Sequence, residues 1–230
     1  YLSEAGVASR RQADRLIEEG RVTINGEPIQ PGAKVLERDH VFLDGKEVML
    51  PEKKVVLAYY KPAGLVVTED RSEPRNIMDA IEYPTRLTYF GRLDKDSEGL
   101  LLRSNDGDLG NALMRGRNRH EKEYVVRVSR RMDDDFLARM ERGVYLPELG
   151  VKTRPCRAKK IDSVTFSLVL TQGLNRQIRR MCDSLGYRVV FLKRIRIQNI
   201  LLGDMKPGEL RLLDEEEEKE LRKGVFERDE

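Results

Sequence analysis

The sequence predicts an α+β protein: a small N-terminal module followed by a larger domain built on a mostly antiparallel, mixed sheet. Three observations carry this. Strand-like apolar runs outnumber helix-like ones and do not alternate with them, which argues against a doubly wound parallel sheet. A polar stretch, Pro51-Glu52-Lys53-Lys54, separates the first fifty residues from the rest. No internal repeat is present. The expected organisation is therefore a module over residues 1–50, a linker at 51–54 and a large domain over 55–230.

The N-terminal module opens with a helix. Ser9 and Gln12 form a capping box that starts it at Arg10. Ala13, Leu16 and Ile17 give it one apolar face, and Gly20 is placed to end it. Arg10, Arg11 and Arg15 lie away from that face. Val22-Thr23-Ile24 then leads into the hairpin signal Asn25-Gly26, and Val41-Phe42-Leu43 leads into a second turn at Asp44-Gly45.

Beyond the linker, strands are expected at Val55 to Tyr60, Leu87 to Phe90, Tyr124 to Val128, Val164 to Leu170 and Val189 to Leu192, and Leu100 to Leu102 reads as a strand or another fully buried segment. Helices are expected at Leu109 to Met114, Asp133 to Arg142 and Arg176 to Leu185. Lys61-Pro62-Ala63-Gly64 ends the first of these strands in a turn and reads as structural, with Lys61 placed where it could also meet a polyanion. The acidic run from Asp214 reads as a solvated or frayed terminal helix.

Composition narrows the function. Of 230 residues, 36% are charged and 39% hydrophobic, and no apolar run reaches membrane-spanning length. No signal peptide is recognisable, and Tyr1 in place of Met implies that a few residues precede it. Cys156 and Cys182 lack metal spacing and read as two thiols of a reducing cytoplasm. Two histidines, His40 and His120, are too few for a His-based metal site, so no metal is expected. Net charge is only +3, but the acidic residues crowd the C-terminus. Basic clusters at Arg10-Arg11, 115–122, 154–160, 176–180 and 193–196 leave a body with the footprint of a nucleic-acid binder.

The run Gly91-Arg92-Leu93-Asp94-Lys95-Asp96-Ser97-Glu98-Gly99-Leu100-Leu101-Leu102 puts acids on a short turn between two apolar segments. It admits three readings. A solvated turn is one. A calcium loop is another, but Asn105 stands where the bidentate acid belongs and no amphipathic helix leads in. The third makes Asp94 a nucleophile or base, with Asp96 stabilising the turn.

Gly-Arg-Leu-Asp-x-x-Ser-x-Gly-Leu-Leu followed by Asn105-Asp106-Gly107 resembles the signature of the RsuA branch of pseudouridine synthases. Those enzymes isomerise uridine in RNA to its C-glycoside. Lys122-Glu123-Tyr124 resembles their Lys-x-Tyr segment. Gln172 to Met181 resembles their Gly-x-x-x-Gln-Ile-Arg-Arg-Met segment, in the wording of large-subunit ribosomal RNA members, and Leu192 to Ile197 resembles the strand that follows. The N-terminal module is similar to the S4 RNA-binding module, whose helix arginines grip phosphates.

The resemblance implies a cofactor-independent isomerisation that breaks an N-glycosidic bond, turns the base and joins C5 to the sugar. No P-loop or dinucleotide fingerprint is present, and no cofactor is expected. The base must leave the stack to be reached. The resemblance makes Asp94 the reacting acid, Tyr124 the ring that stacks on uracil, with a hydroxyl able to relay the C5 proton, and Leu192 an apolar wall. A carboxylate in an apolar pocket needs a cation to stay ionised. On the helix from Arg176, the apolar stripe is Ile178, Met181, Cys182 and Leu185, with Arg179 about 100° from Ile178. Arg179 is thus the expected partner of Asp94, while Arg176 and Arg180 face solvent or RNA. Arg92 is expected at a phosphate or the flipped base, and the basic loop Arg115 to His120 along the RNA backbone. The implied partner is structured RNA, a ribosomal RNA stem-loop or a tRNA loop, handled by a cytoplasmic monomer without a membrane. The competing class is a non-catalytic RNA-binding or ribosome-assembly factor; presence of Asp94, Tyr124 and Arg179 together favours the enzyme.

Overall fold

A computed structural model describes residues 1–51, 53–70, 72–81, 83–115 and 119–227. The middle of the expected basic loop, 116–118, lies outside the described residues, as do Glu52 of the linker and the last three residues of the chain.

The chain divides into two compact units. The first gathers Tyr1–Val55, Tyr83–Thr88 and Ser104–Gly107. Helix α1 (Arg10–Glu18) starts at the Ser9–Gln12 capping box. It packs Ala13, Leu16 and Ile17 on a core of Leu2, Val22, Val41 and Val48. That core covers a four-stranded antiparallel sheet of β1 (Val22–Ile24), β2 (Glu27–Pro28), β3 (Val41–Leu43) and β4 (Lys46–Glu47), in the order β2-β1-β3-β4. Asn25 and Asp44 adopt φ of 52° and 51° at the two hairpin turns, as Asn-Gly and Asp-Gly turns require. Asn105 holds the end of the linker: its Oδ1 accepts from Val55 N–H at 2.8 Å and its Nδ2 donates to the Lys53 carbonyl at 2.9 Å. The Asn-Asp-Gly that closes the long motif therefore serves as a clamp on residues 53–55.

The second unit is built on one sheet of nine strands. In chain order these are β5 (Val56–Lys61), β6 (Thr88–Phe90), β7 (Glu98–Ser104), β8 (Lys122–Val128), β11 (Arg157–Lys160), β12 (Thr165–Leu170), β13 (Val189–Ile197), β14 (Ile200–Leu201) and β15 (Leu210–Leu212); a separate hairpin supplies β9 (Tyr145–Leu146) and β10 (Val151–Lys152). The main path runs β11-β12-β8-β13-β7-β5-β15. The β11–β12, β12–β8, β8–β13 and β15–β5 pairs are antiparallel, and β13–β7 is parallel. Among the described residues four α-helices accompany the sheet: α2 (Gly107–Met114), α3 (Phe136–Glu141), α4 (Gln177–Ser184) and α5 (Glu215–Phe226).

Three expectations need correction. The acidic tail is a docked helix, neither solvated nor frayed. Asp214 caps α5 in a box with Glu217, the acids of its first turn complement the helix dipole, and Leu221 and Val225 are fully buried. Arg211 grips Glu217 with two bonds of 2.6 and 2.7 Å. The helix expected from Asp133 begins only at Phe136, because Asp133 is taken by Tyr187, whose hydroxyl donates to it at 2.9 Å, and by Arg139. β13 also runs to Ile197, well past Leu192, because it is an interior strand paired on both sides.

Candidate active site

Asp94 stands at the start of the turn that leads into β7. Leu93, its neighbour, is buried in one apolar cluster with Tyr124, Leu192, Ile178 and Met181. That anchor leaves the Asp94 side chain 29% exposed at the rim of the cluster. Gly99 permits the approach of the next strand. It has φ +111°, and a Cβ there would sit 2.2 Å from the Arg194 carbonyl oxygen. Only glycine lets β7 press against β13 in the parallel register that pairs Gly99 with Arg194.

Helix α4 delivers the cations. Arg179, with a side chain 10% exposed, places Nε 3.8 Å from Asp94 Oδ2 and Nη2 3.1 Å from Asp96 Oδ2. Its Nη2 also donates to Ser97 Oγ at 3.1 Å and to the Asp96 carbonyl at 3.3 Å, and its Nη1 to the Val189 carbonyl at 3.4 Å. Arg176 departs from the outward placement read from the helical period. Its Nη1 lies 3.6 Å from Asp94 Oδ2 and 3.5 Å from Asp96 Oδ1. The reason is local: α4 begins at Gln177, and Arg176 is its N-cap with φ 49°, so a helical rotation does not apply to it. Arg180 is engaged within the protein, donating to Asn175 O at 3.0 Å and Asn175 Oδ1 at 3.2 Å and pairing with Glu148.

Tyr124 and Leu192 lie on adjacent strands, Tyr124 opposite Arg194 and Leu192 opposite Val126. Both are buried in the cluster that holds Leu93. Arg92 is exposed on the turn. Arg10, Arg11 and Arg15 are exposed on α1 in the first unit. Cys182 is buried and Cys156 half-buried, and burial pushes their thiols up to about 12 and about 11. Among the described residues no group of three or more His, Cys, Asp or Glu could hold a metal ion.

The sequence marked Lys61 as part of a structural turn but not as a buried cation: its side chain is completely buried at the end of β5. Nζ donates to the carbonyls of Ser97 at 2.7 Å, Pro62 at 3.0 Å and Lys95 at 3.4 Å, thereby holding the Asp94 turn from beneath. Burial lowers its pKa to about 8, against the opposing pull of Asp94 and Asp96. A lysine next to a Pro-x-Gly turn carries no sign of burial in sequence, because two of the three carbonyls it serves are more than thirty residues away. Arg194 is a second buried cation, with Nε donating to the Leu100 carbonyl at 2.7 Å.

The pattern of RNA pseudouridylate synthases matches residues 55–184, and the pattern of the S4 domain matches residues 1–41. The chain belongs to the RNA pseudouridylate synthase family and is a pseudouridine synthase, an isomerase. A crystal structure of a pseudouridylate synthase superposes with a TM-score of 0.72 at 27% identity, covering 96% of each chain. The dual-specificity RNA pseudouridine synthase RluF of Salmonella typhi is 44% identical over 94% of this chain and 75% of its own length. The ribosomal large subunit pseudouridine synthase B of Bacillus subtilis is 36% identical, over 96% of this chain and 93% of its own.

Proposed function

We propose that the chain converts one specific uridine in a stem-loop of large-subunit ribosomal RNA to pseudouridine, with the base flipped out of the stack and Asp94 as the reacting acid. The observation that carries this is that Arg176 and Arg179 both reach Asp94, at 3.6 and 3.8 Å from Oδ2. Two guanidinium groups compensate the carboxylate charge at the rim of an apolar cluster, which keeps the ionised acid available to act at the sugar, by attack on carbon or by removal of a proton. The base cannot meet that acid from within a helix, so it must flip. Tyr124 stacks on the flipped uracil and its hydroxyl relays the C5 proton; Leu192 closes the apolar wall. Arg92 and the arginines of α1 contact phosphates. The likeness to a synthase named for the ribosomal large subunit supports the RNA class.

The test is conversion of uridine in a large-subunit rRNA fragment and in a tRNA, mapped chemically after incubation with wild type and Asp94→Asn. Wild type is expected to modify one position in the rRNA fragment. Asp94→Asn is expected to retain less than a tenth of turnover with RNA affinity nearly intact, since removing a negative charge does not weaken attraction to RNA. A variant with more residual turnover would end the assignment of Asp94. Modification of the tRNA alone would overturn the substrate class.

A further inference from the structure

The second acid of the turn has no role in the chemistry above, yet it holds the better ion pair. Arg179 lies 3.1 Å from Asp96 Oδ2 and 3.8 Å from Asp94 Oδ2. Arg176 is shared almost equally, at 3.5 Å from Asp96 and 3.6 Å from Asp94. Two carboxylates thus compete for two guanidinium groups. Exposure divides the four side chains. Arg179 is 10% exposed and backed by two carbonyls and the Ser97 hydroxyl, whereas Arg176 is 45% and Asp96 52% exposed. The Arg176–Asp96 pair is the part of this network that an incoming anion can reach.

We propose that Asp96 stands in for an RNA phosphate: it holds Arg176 while the site is empty, and a phosphodiester flanking the target uridine takes its place on Arg176. This rests on the assignment of Asp94 as the acid that works at the sugar. A sugar within reach of Asp94 brings its own phosphates within a few bonds, and Arg176 is an exposed cation 3.6 Å from Asp94 Oδ2. Carboxylate and phosphodiester each carry one negative charge, so the exchange leaves Arg176 neutralised throughout. Guanidinium serves either anion with its planar fork. Without Asp96, Arg176 would lean wholly on Asp94 in the empty enzyme. With it, Asp94 is left partly free, and a phosphate must displace a carboxylate to bind. Asp96 thereby acts as a specificity residue, since RNA that cannot place a phosphate at Arg176 does not break the pair.

The test is a double-mutant cycle on affinity for the rRNA stem-loop, using wild type, Asp96→Asn, Arg176→Ala and the double variant over a range of salt. Asn keeps the shape of the turn residue and removes only its charge. Asp96→Asn is expected to tighten binding roughly two- to fivefold, the scale of releasing one exposed ion pair. Arg176→Ala is expected to weaken binding and to lower the salt slope by about 0.7, one single-strand phosphate contact. In the Arg176→Ala background, Asp96→Asn is expected to change affinity less than about 1.5-fold, the coupling that an exchange on one arginine requires. An equal gain in both backgrounds would mean that Asp96 only repels RNA in general, and the exchange would be refuted. No gain in the wild-type background would refute it too. These readouts are binding alone, so they stand apart from the Asp94→Asn turnover that tests the function itself.

Discussion

Replacing Lys61 with Met tests how the turn that carries Asp94 is held. Met keeps the length and most of the volume of the stem and removes the charge and every donor. Two effects on stability oppose each other. A fall in pKa from 10.5 to about 8 on burial means that the fold disfavours the ammonium by roughly 3 kcal/mol, at about 1.36 kcal/mol per pH unit. Met removes that cost. Against it, the carbonyls of Ser97, Pro62 and Lys95 lose their donor, at about 1–3 kcal/mol for each that stays buried. The longest of the three bonds contributes least, so the net destabilisation at pH 7 is on the order of 1–3 kcal/mol. Turnover is expected to respond more strongly. A displacement of the turn by about 1 Å moves Asp94 off its target and costs about a hundredfold. RNA affinity is expected to stay within about twofold of wild type, since Lys61 is buried and out of reach of RNA.

The pH dependence gives the sharper discrimination. Below about pH 8 the lysine is charged in both folded and unfolded protein, and its burial cost is fully present. Between about 8 and 10.5 the folded amine has lost its proton while the unfolded one keeps it, so wild-type stability gains with rising pH relative to the Met variant, by up to roughly 3 kcal/mol. Turnover moves in the opposite sense, falling as pH rises through about 8, because a cation near Asp94 and Asp96 is discharged. Urea unfolding at pH 7 and pH 10 measures the first trend, and single-turnover assays at saturating RNA measure the second. A stability difference independent of pH would refute the depressed lysine, and unchanged turnover with lost RNA affinity would refute its role under the turn.

Two further outcomes follow from the geometry. Arg179→Ala is expected to lower turnover at saturating RNA at least about a hundredfold, as for loss of a buried charge partner in a site, whereas Arg180→Ala, whose partners are Asn175 and Glu148, is expected to lower it less than about fivefold; equal losses in the two variants would show that Arg179 does not serve Asp94. Gly99→Ala is expected to destabilise the large unit by roughly 3 kcal/mol or more, because its Cβ meets the backbone of Arg194 at a positive φ, and a urea midpoint close to that of wild type would show that β7 and β13 are not pressed together as described.

Local chemistry was legible in the sequence wherever a few neighbouring residues decide the outcome. Ser9 and Gln12 cap α1 through contacts three residues apart, and Asn25-Gly26 and Asp44-Gly45 turn the first sheet by their own backbone preferences. The flank position of Arg179 follows from the helical period, and the family resemblance pointed it inward. Tertiary structure decided what depends on distant partners. The Arg157–Lys160 strand reads as a basic patch because it is an edge strand whose charged residues stay exposed, and only pairing with β12 makes it a strand. The α5 helix looked solvated because its acids dominate, while the burial of Leu221 and Val225 depends on a core that draws on β5 and β7, more than a hundred residues earlier. Arg176 escaped the helical rule by standing one residue before the helix, in a left-handed conformation. Lys61 and Asp96 acquired their parts only when β5, the Asp94 turn and α4 came together. A side chain's burial and its partner are properties of the packed chain, set by contacts that no local pattern of charge or hydropathy encodes.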